Sequence, residues 1–421
     1  MQSLFAVFDA WYVAKLGATA VATVGIAEGI IMIVVAVALG LGVGATAIVA
    51  RRVGERRPKA ANTAGVQAVI LAFILAVVLG IAGVTFTPEM MRLMGAPKDV
   101  MESGLGFTTH LLGGSGTIIL LFVINAVFRG LGEPGLALKS LALANLLNLL
   151  LDPIFIFGFG PIPAMGVTGA AVATNLARSA GVVYQLRIFA RGHSPLQLSP
   201  QQLMPQAAVI RSLVKVSWVA VLQFFIATLS YTGMIRIMTA FPSEAVAGLT
   251  LGVRILMFIF LPAWGLCNAA ATLVGQNLGA KSPERAEASV WLAARWNALY
   301  MGGVTLVFIL LAPSLIRLFT PDPEIVINGA KCLTWISLSL VPLAFGMVTL
   351  QAFNGAGDTW TPTYVGLLCH WIIKLPLSFF LAHHWHFGPE GIYIASPIAE
   401  ITTAILGVLL FKSGRWKEKR L

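Results

Sequence analysis

Charged residues are scarce in this chain: they make up 11% of its 421 residues, whereas 58% are hydrophobic. Its mean hydropathy of +0.87 is too high for a soluble domain, which could not hide so much apolar surface from water. The composition therefore excludes a soluble fold and predicts a protein that is embedded in a lipid bilayer.

Cysteine is also rare, and the three cysteines Cys267, Cys332 and Cys369 lie far apart inside apolar runs. They show no spacing typical of a disulfide framework or of a metal site. We therefore expect them to be packing residues, and we expect no resident metal.

Acidic residues are few, since 17 Asp and Glu stand against 28 Lys and Arg, which gives a net charge of +11. The basic residues collect in alternate loops between the apolar runs, for example in 51–59, 187–211 and 412–420. This positive-inside pattern predicts an inner-membrane protein with both termini and the central linker in the cytoplasm. It accounts for the basic excess without a nucleic-acid partner.

Long apolar runs are abundant, and a membrane-spanning helix needs about 20 such residues. Twelve spans are predicted, six in each half of the chain. They are 1–16, 23–50, 60–86, 103–127, 136–159, 167–190, 212–241, 248–275, 288–315, 329–353, 361–383 and 391–412.

The second half repeats the first at an offset of 225 positions without a gap. Gly54 aligns with Gly279, Gly104 with Gly329, and the segment 129–133 with 354–358. A single register over more than a hundred residues indicates a duplicated unit.

An even number of spans in each copy means that both copies enter the membrane from the same side. The expected fold is an all-α polytopic membrane protein, built of two parallel six-helix repeats related by a pseudo-twofold axis along the membrane normal. The predicted domains are a first lobe, a cytoplasmic linker that tethers the lobes, a second lobe and a basic cytoplasmic tail, at 1–190, 191–211, 212–412 and 413–421.

The first copy is short at its start, because Met1 aligns with Ile226 whereas the matching helix of the second copy begins near Ser212. Sixteen residues reach about 24 Å across an apolar core of about 30 Å. We expect that translation begins upstream or that the gene is truncated; a divergent, half-length first helix is the alternative.

Several motifs resemble those of the multidrug and toxic compound extrusion (MATE) transporters. Residues 274–286 are similar to the loop between the second and third helices of a MATE lobe, 128–133 and 353–358 resemble the loops after helices 4 and 10, and 148–158 resembles helix 5. The resemblance covers nearly the whole chain and favours the DinF-like branch. It implies a secondary antiporter that exports cationic or amphipathic compounds in exchange for H⁺ or Na⁺.

Four polar residues of the first copy are candidates for cation coupling: Asp9, Asn148, Asp152 and Thr174. At 1.5 Å per residue, the two carboxylates and the threonine lie about 9–12 Å below the outer ends of their spans. Asn148 and Asp152 are four residues apart and share one helix face. Insertion of an aspartate at the centre of a membrane-spanning helix costs about 2.5–3.5 kcal/mol of free energy, so each of the two aspartates is expected to have a function.

The MATE resemblance implies that these four positions hold the coupling cation. We expect one of the two carboxylates to carry a proton, because like charges in one pocket repel each other. The alternative is that Asp152 caps a helix broken at Pro153 and that Asp9 is merely interfacial. The second copy has Met234, Ile373, Leu377 and Ala399 at the matching positions, so coupling is expected in the first lobe alone.

The second copy has its own pair of intramembrane charges, Lys374 and Glu400, each about 12–14 Å deep. We predict that they form an ion pair; a lysine that extends to the interface is the alternative. Gln223, Tyr231 and Met257 are candidates for lining a substrate cavity, although such residues more often serve ordinary packing.

Two other functions stay open at this point. A flippase for lipid-linked sugars has a related architecture but needs a basic cavity, whereas the intramembrane arginines are scattered. An intramembrane enzyme needs a nucleophile with a base, and Ser115 and His110 share a span without a partner carboxylate. The expected partners are a small-molecule substrate and membrane lipid, with a monomeric chain, no cofactor, and H⁺ or Na⁺ as the coupling ion.

Overall fold

A computed structural model describes residues 11–13, 15–190 and 200–419. The described residues form helices and connecting loops, apart from one β-bridge between Phe159 and Ile162. The helices are α1 (Ala18–Gly54), α2 (Pro58–Leu93), α3 (Lys98–Gly113), α4 (Gly116–Leu131), α5 (Pro134–Phe157), α6 (Val167–Ala190), α7 (Pro200–Leu203), α8 (Ala207–Met238), α9 (Ser243–Gly279), α10 (Pro283–Arg317), α11 (Pro323–Ala356), α12 (Trp360–Gly366), α13 (Leu375–Phe379) and α14 (Pro389–Lys412).

Ten helical stretches in the described part of the chain are long and apolar enough to cross a membrane. Two of these stretches are composite. Lys98–Leu131 contains α3 and α4, and Trp360–His384 contains α12 and α13 with two π-helical turns, π1 (Leu367–Lys374) and π2 (Phe380–His384). The predicted span 167–190 forms helix α6. The fold is therefore that of an all-α polytopic membrane protein.

The predicted first span, 1–16, lies mostly outside the described residues, and so does Asp9. Within that span, Trp11, Tyr12 and Val13 are helical. The predicted linker is described only from residue 200 onward. Its last residues, from Ala207, already belong to α8, so this helix begins before the predicted residue 212.

The predicted span 103–127 lies within one stretch, Lys98–Leu131, and this stretch is interrupted between α3 and α4. The break falls at Gly114 and Ser115. Because Gly114 has no side chain, a neighbouring helix can approach the backbone closely there. A Cβ at Gly114 would collide with the side chain of Asn175, whose amide donates to the His110 carbonyl oxygen at 2.6 Å. The pattern of apolar residues continues through the break, so hydropathy alone does not reveal it.

Contacts divide the chain into two compact units. The first comprises Met1–Val53 and Arg57–Val221, and the second comprises Gly54–Arg56 and Leu222–Leu421. The boundary falls inside α8, whose first half belongs to the first unit and whose second half belongs to the second.

The duplication is visible in the turns of each unit. Gly132 ends α4 with φ 87°, and its repeat counterpart Gly357 ends α11 with φ 84°. Both glycines close a left-handed cap, which residues with a side chain rarely adopt. The non-glycine residues Arg56 and Lys281 are likewise 225 positions apart and have φ of 56° and 57°. The register read from the sequence therefore predicts backbone geometry correctly.

Close helix contacts recur at the same repeat positions. In the first unit, a Cβ at Gly130 on α4 would lie 3.2 Å from the Thr46 carbonyl oxygen on α1. In the second unit, a Cβ at Gly355 on α11 would collide with the Ala271 backbone on α9. Glycine lets these helices approach backbone to backbone, which is how helices associate where burial from water gives no driving force.

The described part of the predicted basic tail, 413–421, is folded. Residues Arg415–Glu418 form a 3₁₀ turn that buries Trp416 completely. The Trp416 ring stacks on Phe411 at 4.8 Å, and Lys417 pairs with Glu287 on α10 at 2.6 Å. The tail is therefore packed against its own unit.

The end of the linker is also docked within its unit. Gln67, fully buried on α2, donates to the carbonyl oxygens of Gln202 and Met204, each at 2.9 Å. Its side-chain oxygen accepts a hydrogen bond from the backbone of Gln206 at 3.0 Å. The residues just before α8 are therefore held by three hydrogen bonds.

Candidate functional site

Asp152 lies inside α5 and is only 1% exposed. The Asn148 amide, one helical turn earlier, donates to Asp152 Oδ1 at 2.8 Å. This is the contact that the spacing of four residues predicts. Pro153 follows directly inside the helix, and since it has no N–H, the Leu149 carbonyl oxygen has no helical donor.

Helix α6 brings Thr174 to the same place. The Asn148 amide also donates to Thr174 Oγ1, at 3.3 Å, so that Asn148 bridges the two helices. The two helices are close enough for this bond because Gly169 on α6 has no side chain; a Cβ there would collide with the Phe155 carbonyl oxygen on α5. Three of the four predicted residues therefore meet, and Asp9, the fourth, lies outside the described residues.

Adjacent residues on α6 connect this site with the break between α3 and α4. Thr174 faces Asn148, whereas its neighbour Asn175 donates to the last turn of α3 at His110 and fills the space beside Gly114. The sequence gives no sign of this link until the break is known.

The chemistry of the site suits a small hard cation or a proton. A carboxylate, an amide and a hydroxyl supply oxygen atoms, which are the ligands that hard cations prefer. Asn148 reaches the carboxylate through its N–H group and holds it beside Thr174.

The second unit lacks this arrangement. Ile373, Leu377 and Ala399 stand at the repeat positions of Asn148, Asp152 and Thr174. Ala399 is fully buried among its neighbours. The scaffold therefore folds without the polar residues, so the first unit does not need them for its architecture.

The second unit instead holds the predicted pair Lys374 and Glu400. Lys374 Nζ donates to Glu400 Oε1 at 3.3 Å, and the two side chains are 16% and 17% exposed. A third residue, His370, places Nδ1 3.9 Å from the same oxygen. Sequence reasoning missed His370, although its spacing of four residues from Lys374 was a usable signal.

The three candidates for a substrate cavity are placed differently from one another. Gln223 accepts a long hydrogen bond of 3.4 Å from Asn354, which also bonds Gln351 at 2.9 Å. Tyr231 packs beside an apolar cluster that includes Met234, and Met257 is 60% exposed. No contact found among the described residues joins these three into one site.

Comparison with known proteins places the chain in context. The MatE family model matches residues 1–154 and 220–380. A relative from Thermotoga maritima, named as a probable multidrug resistance protein NorM, is 27% identical over 424 residues, covering 100% of this chain and 90% of its own length. An FAD transporter from Shewanella oneidensis is 24% identical, covering 95% and 88%.

Solved structures agree with this match. The fold superimposes on that of a MOP superfamily transporter from Pyrococcus furiosus with a TM-score of 0.92 and 26% identity, covering 98% of this chain and 91% of the other. Since the family model matches well over half of the residues, the chain belongs to the MatE family and is a membrane transporter rather than an enzyme.

Proposed function

We propose that the protein is a secondary antiporter that exports amphipathic or cationic organic compounds, such as drugs and toxins, in exchange for H⁺ or Na⁺. The exchange uses the carboxylates of the first unit, Asp152 together with Asp9, and their neighbours Asn148 and Thr174. The observation that carries this proposal is the buried Asp152 carboxylate, bonded to an amide that also bonds Thr174.

The energetics support a functional carboxylate. An aspartate held at membrane depth costs about 2.5–3.5 kcal/mol, and the second unit shows that the helices pack without it. One charge that crosses 100 mV supplies about 2.3 kcal/mol. That energy supports a gradient of roughly 50-fold in an exported compound that carries no net charge. For a monovalent organic cation the two charge movements cancel, and the concentration gradient of the coupling ion drives export instead.

The names of the relatives support the substrate class. Multidrug resistance proteins and an FAD transporter handle small organic molecules, and this chain matches them over almost its whole length. We extend that class to this protein. A monomeric chain is sufficient, with membrane lipid around it and no cofactor beyond the coupling ion.

The basic loops support an orientation in the inner membrane with both termini in the cytoplasm. The linker, which begins at Arg191 and ends at Arg211, and the basic tail would then lie on the cytoplasmic side. Labelling of single cysteines introduced at exposed loop positions, with a reagent that does not cross the membrane, tests this. Labelling of residues 200–206 from outside intact cells would contradict the orientation.

Transport by the purified protein in lipid vesicles tests the function. Uptake of a fluorescent organic cation is measured with a pH gradient and a Na⁺ gradient imposed separately, for the wild type, Asp152→Asn and Asp99→Asn. We expect one gradient to drive transport in the wild type and in Asp99→Asn, whose side chain is exposed at the start of α3. Asp152→Asn should lose that response, and full gradient-driven transport by this variant would refute the proposal.

A further inference from the structure

The second unit contains a charged cluster that the cation site of the first unit does not explain. Lys374 and His370 both approach one oxygen of Glu400, at 3.3 and 3.9 Å. Within the described residues, Glu400 Oε2 accepts no hydrogen bond and Lys374 uses one of its three N–H groups. The side chains are 16–22% exposed, so the cluster is accessible and can form further hydrogen bonds.

An unusual backbone builds this cluster. His370 and Lys374 belong to the π-helical turn π1, in which the Leu375 N–H bonds the His370 carbonyl five residues earlier. Pro376 explains the wider turn, because its ring would clash with the carbonyl four residues before it. Residues four apart lie on the same side of the turn, and both side chains reach Glu400 Oε1. Such turns occur frequently at functional sites.

Helix α8 holds the turn in place. The Ser230 hydroxyl donates to the His370 carbonyl oxygen at 3.2 Å, and the Trp371 indole donates to the Ile226 carbonyl oxygen at 3.0 Å. The His370 side chain takes no part in either bond. It can therefore change its protonation without loss of these supports.

The depth of the cluster matches that of a transport site. His370 is ten residues from Trp360, about 15 Å along the helix, and Glu400 is eleven residues from Pro389, about 16 Å. Both lie near the middle of an apolar core that is about 30 Å thick. Transporters with two related lobes bind their substrates near this plane.

The fold does not require the charges. At the matching repeat positions the first unit has Asn145, Leu149 and Asn175, and its helices α5 and α6 pack against each other without a charge there. A buried ion pair is weak evidence for stability, because taking charges out of water costs as much as their attraction returns. Since neither the fold nor its stability explains these charges, we infer that they bind a ligand.

We propose that the cluster of Lys374, Glu400 and His370 binds an anionic oxygen group, a carboxylate or a phosphate, on the transported compound. Lys374 donates its remaining N–H groups to the anion, and His370 takes up one proton from water. This inference rests on the proposed transport function and adds a preference, among its amphipathic substrates, for those that carry an acidic group.

Charge balance decides between an anion and a cation. Lys374 and Glu400 cancel each other, so an added ion needs a compensating proton change. At pH 7 a histidine in water is protonated in about one molecule in four, whereas a lysine is unprotonated in only about one in 2,500. The ordinary pKa values therefore favour an anion that is balanced by a proton on His370 over a cation that is balanced by loss of a proton from Lys374.

Other titratable groups of the surrounding elements do not change this balance. Cys369 lies on the same turn, Tyr231 on α8, Cys332 on α11 and Tyr393 on α14. Thiols and phenols of this kind are uncharged at pH 7 in water. Glu400 is the one carboxylate that contacts His370 among the described residues.

Matched dyes test the proposal. Rhodamine B carries a free carboxylate that its ethyl ester lacks, and riboflavin 5′-phosphate carries a phosphate that riboflavin lacks. Binding of each dye to the full-length protein in phosphatidylcholine nanodiscs is measured by fluorescence anisotropy, without any ion gradient. The wild type should bind the anionic member of at least one pair about 10- to 100-fold more tightly, the range expected for charge-assisted hydrogen bonds.

Variants assign that preference to the cluster. Because Lys374→Met alone leaves Glu400 unpaired and could impair folding, the decisive variant is Lys374→Met with Glu400→Gln, which removes both charges. We expect it to bind both members of each pair equally. His370→Gln should abolish the proton uptake that a pH indicator detects when the anionic dye binds to the wild type.

Three outcomes would overturn the proposal: no preference for the anionic dye in either pair, a preference that survives in the double variant, or tighter binding of the ester that Glu400→Gln abolishes. The last result would identify a cation site. Since these are equilibrium binding measurements, their failure is separate from a failure of Asp152→Asn to alter ion-driven transport.

Discussion

Replacement of Lys374 alone should destabilise the protein more than replacement of Lys374 and Glu400 together. In Lys374→Met, the Glu400 carboxylate loses the ammonium group at 3.3 Å and stays in a helix interior where its side chain is 17% exposed. Breaking a fully buried ion pair by removal of one partner costs about 3–5 kcal/mol. Partial exposure, and His370 at 3.9 Å from the same oxygen, reduce the expected loss to about 2–3 kcal/mol.

The double variant Lys374→Met, Glu400→Leu removes the unpaired charge and should recover most of that loss. Unfolding in mixtures of sodium dodecyl sulfate and dodecylmaltoside measures the free energy of each variant, and the two single variants complete a double-mutant cycle. We expect a coupling energy of at least about 1 kcal/mol. If Lys374→Met and the double variant unfold at the same detergent fraction, Lys374 does not neutralise Glu400 and the pairing argument fails.

Two further substitutions test the packing. Trp416→Ala should lower the free energy of unfolding by about 3–5 kcal/mol, as large-to-small changes in a core do, because Trp416 is fully buried. Trp385→Ala is the control and should change this free energy little, because Trp385 is 67% exposed. Equal losses in the two variants would show that the tail is not packed. Gly114→Ala should lower the yield of folded protein, because its Cβ collides with Asn175, while Gly135→Ala meets no atom within 4 Å and should be neutral. A well-folded Gly114→Ala protein would contradict the tight contact at the helix break.

The architecture follows from the sequence because two strong signals agree. Apolar runs locate the spans, and the offset of 225 positions carries local geometry from one copy to the other, as the caps at Gly132 and Gly357 show. Several of the predicted spans are shorter than their helices; α10, for example, runs from Pro283 to Arg317, whereas the predicted span is 288–315. Helices continue into polar turns beyond the apolar run, where hydropathy gives no boundary.

The candidate site is predicted in part for a similar reason. Asn148 and Asp152 are found from their spacing within one helix, which fixes their contact locally. Thr174 depends on how α5 and α6 pack, and its depth and the MATE resemblance indicated it correctly as a neighbour. Which ion the site binds is set by distances and solvation that a residue pattern does not contain.

The features that the sequence did not predict all depend on tertiary contacts. The break at Gly114 needs Asn175 from another helix, and the burial of Trp416 needs a surface built by distant residues such as Phe411. His370 reaches Glu400 because Pro376 widens the turn π1, on which His370 lies. Each of these is a packing result that local propensity does not encode.

Ion movement coupled to substrate movement tests the central claim most directly. Vesicles containing the protein and an indicator for H⁺ or Na⁺ receive the transported dye at a downhill gradient, and the flux of dye and of ion are recorded together. The account predicts that the wild type moves the ion in the opposite direction to the dye, whereas Asp152→Asn lets the dye cross without any ion movement. An unchanged ratio of ion to dye in Asp152→Asn would contradict coupling through the first unit.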